Sequence, residues 1–454
     1  MTAVQVVWFK RDMRVHDHAP LMQALQQRHT LGPVLCVYCI EPTLWQQPDA
    51  ARQHYHFALE CLADLRVQLH SLGLALHVLH GEVTSVLDAL QARGGISHLW
   101  SHTETGNNAS YSRDKAVAAW CARARVAWTE VAQFGVKRGL RARVGSSWAQ
   151  HWQRHMATPC ASVAAFTTRV QAVPVLGGGH GGHGGDGGYF MDVAHEAHEA
   201  HKANKVHGVH GAYATLGLPS AWYQQPSADA LGLDPHEPHA RQRGGRAAAM
   251  ALLQSFIAQR SGWYRGGISS PLTAPDACSR LSPYLSMGCV SMREVVQTIE
   301  QARLNPDTPA RHRQGLTAML SRLHWHCHFI QKLETEPAIE WRNMHSGYNG
   351  LREHDWNPAH FEALKNGQTG WPMVDASVAM LKATGWINFR MRAMLVSVAA
   401  YPLWLHWRDV GTWLATQFLD YEPGIHWSQM QMQSGTTGIN TTRVYNPIKQ
   451  AQDH

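Results

Sequence analysis

Five short apolar runs alternate with stretches of helical spacing over the first 133 residues, and this alternation restricts the fold more than any other feature of the chain. The runs are Val4–Phe9, Val34–Ile40, Leu74–Leu79, His98–Ser101 and Val126–Val131. Helical spacing fills Ala19–Leu25, Arg52–Leu72, Val83–Ala92 and Ser110–Ala124 between them. Strands that are apolar on both faces and separated by helices imply a parallel sheet covered on both sides. Residues 1–133 therefore read as a Rossmann-like α/β domain. No G-x-G-x-x-G follows the first run, which argues against a dinucleotide there. The C-x-x-C formed by Cys36 and Cys39 lies inside VLCVYCI, where alternation points the two thiols to opposite faces.

The pattern loosens across residues 134–246, which read as a connector. Within it, residues 176–211 are of low complexity: LGGGHGGHGGDGG, then HEAHEAHKANKVHGVH. Glycine at that density cannot offset its ordering entropy, so the first part reads as a flexible linker. The second part spaces its histidines by three rather than four and has no cysteine to complete a set, so no metal site is expected. From Ala247 helical spacing dominates, in Ala247–Gln259, Met292–Ala302, Ala318–Leu333, Ala376–Ala383, Arg390–Leu403 and Val410–Leu419. Residues 247–454 are thus expected to form an all-α domain.

The chain of 454 residues has no 18-residue apolar run, and its start, MTAVQVVWFKRD, lacks the layout of a signal peptide. Eight scattered cysteines suit a reducing compartment, so a cytoplasmic protein is the expectation. A net charge of +7 and a pI near 9.0 favour a polyanionic partner mildly. The 18 tryptophans suit a protein that stacks on flat ligands or passes electrons.

Three segments carry the chemistry. In Cys278–Gly288, CSRLSPYLSMG, small hydroxyl residues and Arg280 sit where a helix should start, near Pro283. Free N–H groups there would suit phosphate, with simple capping as the plainer alternative. In RLHWHCHF, helical spacing places Arg322, Trp325, His326 and Phe329 on one face, suited to phosphate and base stacking or to an ordinary basic face. In Thr384–Pro447, Trp, Arg, Asp, Glu, His and Met crowd a helical region. An Arg–carboxylate pair there would suit a charged aromatic cofactor, or be a core salt bridge.

Together these blocks resemble the photolyase/cryptochrome flavoprotein family. The resemblance rests on WFKRDMRVHDHAPL, Tyr264, CSRLSPYLSMG, the W-x-x-x-F helix at Trp325, TGWPMVDA, TGWINFRMR, LDYEPG and a closing YNP, in order along the whole chain. It implies an α/β domain followed by a helical domain that holds FAD. Tyr264, Cys278, Ser279, Arg280, Leu281 and Ser282 match positions that contact FAD phosphates and ribityl chain. Arg392 and Asp420 match the ion pair beside the flavin, with Tyr421 and Glu422 next to it. His426 falls at the position facing flavin N5, where repair enzymes carry Asn. A titratable group there is expected to change the pH dependence of photoreduction. Of the family's three-Trp electron relay only Trp407 aligns. Met430 and His354 occupy the proximal and surface places, with Trp427 or Trp386 as substitutes.

The lesion-facing positions depart from the family pattern. Arg322 replaces a Glu, His326 an Arg, Phe389 an Asn and Met432 a second Trp. The expected pocket is lined by Arg322, Trp325, His326, Phe329, Phe389 and Arg390. The resemblance implies blue-light DNA repair by electron transfer from reduced FAD to a pyrimidine dimer, with UV-damaged DNA as partner. The alternative is a cryptochrome-like photosensor that signals through another protein. A folate- or deazaflavin-type antenna pigment is expected near Ser101–Lys115, the chain is expected to be monomeric, and its stop at His454 reads as shorter than the family norm.

Overall fold

The computed structural model describes residues 3–140, 145–163, 166, 218–439 and 444–454. The Gly/His-rich segment 176–211 lies outside the described residues. Five parallel strands form one sheet: β1 Val4–Phe9, β2 Val34–Ile40, β3 Leu76–His80, β4 Ile96–Thr103 and β5 Ala127–Ala132, in the order β3-β2-β1-β4-β5. Helices α1 Ala19–Gln26, α2 Arg52–His70, α3 Val83–Arg93 and α4 Asn108–Ala124 connect them. Alternation sends Val7 and Phe9 of β1 into one core layer and Val6 and Trp8 into the other. Cys36 and Cys39 likewise lie in opposite layers, both buried and free.

Helix α5 Gly145–Ala157 follows, in a stretch where the sequence gives no clear pattern. The remaining long helices are α6 Arg246–Ala258, α7 Met292–Leu304, α8 Ala310–Thr335, α9 Pro358–Asn366, α10 Pro372–Thr384, α11 Phe389–Ala400, α12 Trp407–Gln417, α13 Pro423–Ser434 and α14 Pro447–Asp453. No strand occurs beyond β5 among the described residues. No described helix is long and apolar enough to cross a membrane.

The motif after β1 staples the sheet and docks the helical part. Asp12 Oδ2 accepts from His18 Nε2 at 2.9 Å and from His102 Nδ1 at 2.7 Å, while Oδ1 accepts from the Lys10 backbone. His18 Nδ1 in turn accepts from Leu21 N and caps α1. Arg11 Nε donates to the Ser286 carbonyl and Arg14 to that of Gly288. Gly288 has φ +67°, and a Cβ there would lie 2.3 Å from the Arg11 carbonyl oxygen and 2.6 Å from Asp12 Cα. Both backbone conformation and space require glycine. Gly288→Ala is expected to lower stability by roughly 2 kcal/mol, read by thermal melting, because the two backbones must separate. An unchanged melting temperature would contradict that contact.

At the carboxyl ends of β1 and β4, where α/β sheets often take ligands, buried charges fill the space. Lys10 pairs with Asp114 at 3.1 Å, and Arg113 with Glu41, Glu104 and Asp114. Within Ser101–Lys115, where an antenna pigment is expected, Ser101, His102, Glu104, Arg113 and Asp114 already have protein partners.

Candidate flavin site

The centre of the helical part is the Arg392–Asp420 pair. Arg392 lies in the first turn of α11, and Asp420 follows α12. Both guanidinium NH2 groups donate to the carboxylate at 2.9 Å, and Nε donates to the Ile387 carbonyl at 2.8 Å. Burial pushes the Asp420 carboxyl up, but the Arg392 charge and the hydrogen bonds from Arg392 and Ser282 together outweigh it and the net direction is down. The Arg392 guanidinium also lies 4.3 Å from the Phe418 ring.

A second buried cation stands nearby without a carboxylate of its own. Arg280 adopts φ +60°, stacks on Trp386 at 3.9 Å, and donates to Gln242 Oε1 at 3.1 Å. Burial lowers its pKa to about 10. Cys278 and Ser279 use their carbonyls to accept from Arg260, and burial pushes the Cys278 thiol up to about 11. Tyr264 is buried in the single turn Tyr264–Gly267, where burial raises its phenol and Arg322 opposes the rise.

The structure bears on four expectations. The helix at Pro283 is a five-residue turn, Ser282–Ser286, too short to act as a phosphate-binding dipole. Ser282 instead bonds Asp420. Leu281 is fully buried in the core. Tyr421 donates its hydroxyl to Asp49 Oδ2 at 2.6 Å, and Glu422 pairs with Arg11, so both side chains fasten the helical part to the α/β part. His326 is only partly exposed on α8, unlike Trp325: burial, then the charge of Arg11, lowers its pKa to about 4, and its buried Nδ1 has no partner.

His426 sits on α13 with Nε2 donating to the Gly411 carbonyl at 2.8 Å. That bond leaves Nδ1 of the neutral ring as an acceptor. Burial lowers the pKa to about 4, so the imidazole does not titrate near neutrality, contrary to the sequence expectation. Trp407 is buried, donates to Asn343 Oδ1 at 2.7 Å, and lies edge-on to Trp427 at 6.0 Å.

On the outer side, Trp325 is 47% exposed and stacks on Phe329 with centroids 5.8 Å apart. Phe389 is 55% exposed, next to half-buried Arg390, and Arg322 is exposed. The segment from Tyr264 joins these groups: Arg322 flanks its start, and Asn388 donates to Ile268 and Ser269 carbonyls at its end. Asn388 is a contact that sequence reasoning assigned no role.

Two family models match the chain. One described as the FAD binding domain of DNA photolyase covers residues 319–454, and one described as DNA photolyase covers residues 5–134. The chain belongs to the photolyase/cryptochrome family. A cryptochrome DASH of Gloeobacter violaceus is 26% identical, over 100% of this chain and 83% of that protein. A deoxyribodipyrimidine photo-lyase of Halobacterium salinarum is 25% identical, over 99% of this chain and 86% of that one. The fold is similar to a Synechocystis cryptochrome structure, with TM-score 0.73 and 18% identity over 100% of this chain and 86% of that one.

As a photolyase-type protein the chain uses FAD, and its residues fit that cofactor. Buried polar atoms without partners include Asn388 Oδ1, His326 Nδ1 and Arg390 Nε. Such atoms in a native core call for a ligand or water. The unpaired Arg280 guanidinium suits a diphosphate, and the Arg392–Asp420 pair suits the edge of a polar ring.

Proposed function

We propose that this chain is a light-driven DNA repair flavoprotein that splits UV-induced pyrimidine dimers. Bound FAD supplies the light-driven electron. Arg280, with Cys278, Ser279 and Tyr264 around it, would hold the diphosphate and ribityl chain, while Ser282 would steady Asp420. Arg392 and Asp420 would fix the ring edge, and His426 would present Nδ1 as an acceptor. The observation that carries the repair reading is the exposed Trp325–Phe329 stack flanked by Arg322, with exposed Phe389 beside Arg390 across the Tyr264 segment. Exposed aromatic faces favour an extruded base, and the arginines favour its phosphates. A damaged pair costs less to unstack, which favours the lesion over intact DNA.

A photosensor without repair is the second reading, favoured by Arg322, His326, Phe389 and Met432 at positions where the resemblance implies other residues in repair members. The decisive assay is blue-light repair of oligonucleotides carrying either a cyclobutane dimer or a (6-4) lesion by the FAD-loaded, reduced protein. Loss of the cyclobutane lesion in light and not in darkness is expected. Persistence of both lesions would refute repair and leave the sensor.

A further inference from the structure

We propose that Trp427 is the first electron donor to the flavin and that Trp407 refills it, a two-tryptophan relay in place of the three-tryptophan one implied by the resemblance. The inference rests on the flavin reading above. Met430, at the proximal place of the usual relay, is buried and lacks an oxidisable ring. Its neighbour on α13, Trp427, is also buried and makes the contact that matters: its ring centroid lies 6.0 Å from Trp407, at 74° between planes. On its other side it lies 4.9 Å from His426. A neutral imidazole is much harder to oxidise than an indole, so Trp427 is the first easily oxidised ring outward from His426 along this path.

Packing makes the contact close. Gly411 on α12 faces Trp427 and Met430, and a Cβ there would lie 2.8 Å from Trp427 Cζ3 and 3.0 Å from Met430 Cγ. The missing side chain lets α13 lie against α12, with Trp427 wedged beside Trp407. Outward from Trp407, the His406 ring lies at 5.5 Å and reaches Glu353 and Asp409 near the surface. The polar neighbour of the buried Trp427 N–H is the Tyr421 hydroxyl, too weak a base to take its proton, so oxidation there leaves a cation rather than a neutral radical. That favours onward transfer of the hole to Trp407, whose N–H already points at Asn343 Oδ1.

The electron count closes with an external thiol as reductant. One electron leaves Trp427 for the photoexcited oxidised flavin, and one from Trp407 replaces it. A thiolate at the surface beside His406 returns one electron to the buried Trp407 by tunnelling and leaves as a thiyl radical, and two such radicals couple to a disulfide. The net change is one electron moved from thiol to cofactor. Tyr421 is the competing donor, 5.1 Å from His426 with its hydroxyl on Asp49.

Transient absorption of the FAD-loaded protein after a blue flash tests the relay, with flavin absorbance recorded first. Trp427→Phe is expected to slow photoreduction by roughly tenfold or more. Trp407→Phe should keep the early tryptophanyl signal and shorten its life, because the hole then stays on Trp427. Loss of that early signal in Trp407→Phe, a wild-type rate in Trp427→Phe, or a tyrosyl signal in the unsubstituted protein would each overturn the proposal. A chain that takes up no flavin at all overturns the flavin reading as well, and the initial absorbance separates the two failures. If Trp427→Phe does not fold, the Trp407→Phe trace decides alone.

Discussion

Asp420→Asn is expected to cost this protein its flavin and roughly 3 kcal/mol of folding stability. The side chain changes little in size, so packing survives and charge is the variable. Asp420 is the carboxylate that neutralises Arg392 through two bonds of 2.9 Å, and its side chain is 5% exposed. Without it, Arg392 loses its counter-ion in a site where Arg280 is already a buried cation without a paired carboxylate. Removing one partner of a buried pair costs far more than the pair contributes net, because the other charge stays out of water. The guanidinium of Arg392 keeps some solvent, at 22% exposure, which holds the expected cost to the lower end of the usual range. Flavin retention, read from visible absorbance after gel filtration, should fall together with the melting temperature. A variant that melts like the wild type and keeps its flavin would remove this pair from the centre of the site.

The parallel sheet was legible because burial on both faces leaves little room for polar residues: β1 and β2 end where the apolar runs end. Helix α13 was not legible, and it carries His426. Its buried positions include His426, Ser428, Gln431, Gln433 and Ser434, so no apolar stripe marks it. Gln431 shows why this is tolerated: its amide donates to the Ile339 and Arg342 carbonyls and accepts from Met344 N, so burial leaves nothing unsatisfied. Face arguments also failed at His326. It is four residues from Arg322, yet three from Leu323 and four from Ile330, and those two belong to the buried stripe of α8. Tyr421 was beyond local reasoning altogether, because its partner Asp49 lies 372 residues away in sequence. The Arg392–Asp420 pairing was visible only through the resemblance, since residues 28 apart carry no local signal of contact.

Acid should destabilise the protein well above the carboxylate range, with His426 and His326 among several contributors. Burial holds both imidazoles at about 4 in the folded chain, against 6.5 for the free group. Between those values the unfolded chain binds protons that the folded chain does not, so stability falls as pH drops from 6.5 towards 4 and levels off below. At pH 5 each histidine is expected to remove about 2 kcal/mol, an upper figure because partial opening lets water reach the ring. Other buried histidines shift in the same direction, His54 and His77 among them, so the unsubstituted protein alone cannot apportion the slope. Urea unfolding of the wild type and of a His326→Gln, His426→Asn double variant at pH 7 and pH 5 separates the terms. The wild type should lose clearly more stability over that interval than the variant. Equal losses would mean that these rings protonate freely in the folded state, and the Nε2–Gly411 bond, which leaves Nδ1 of neutral His426 as an acceptor, would then no longer set its charge. The same depressed pKa requires photoreduction to show no His426-dependent change between neutral and mildly alkaline pH, which His426→Asn compared with wild type over that range measures directly.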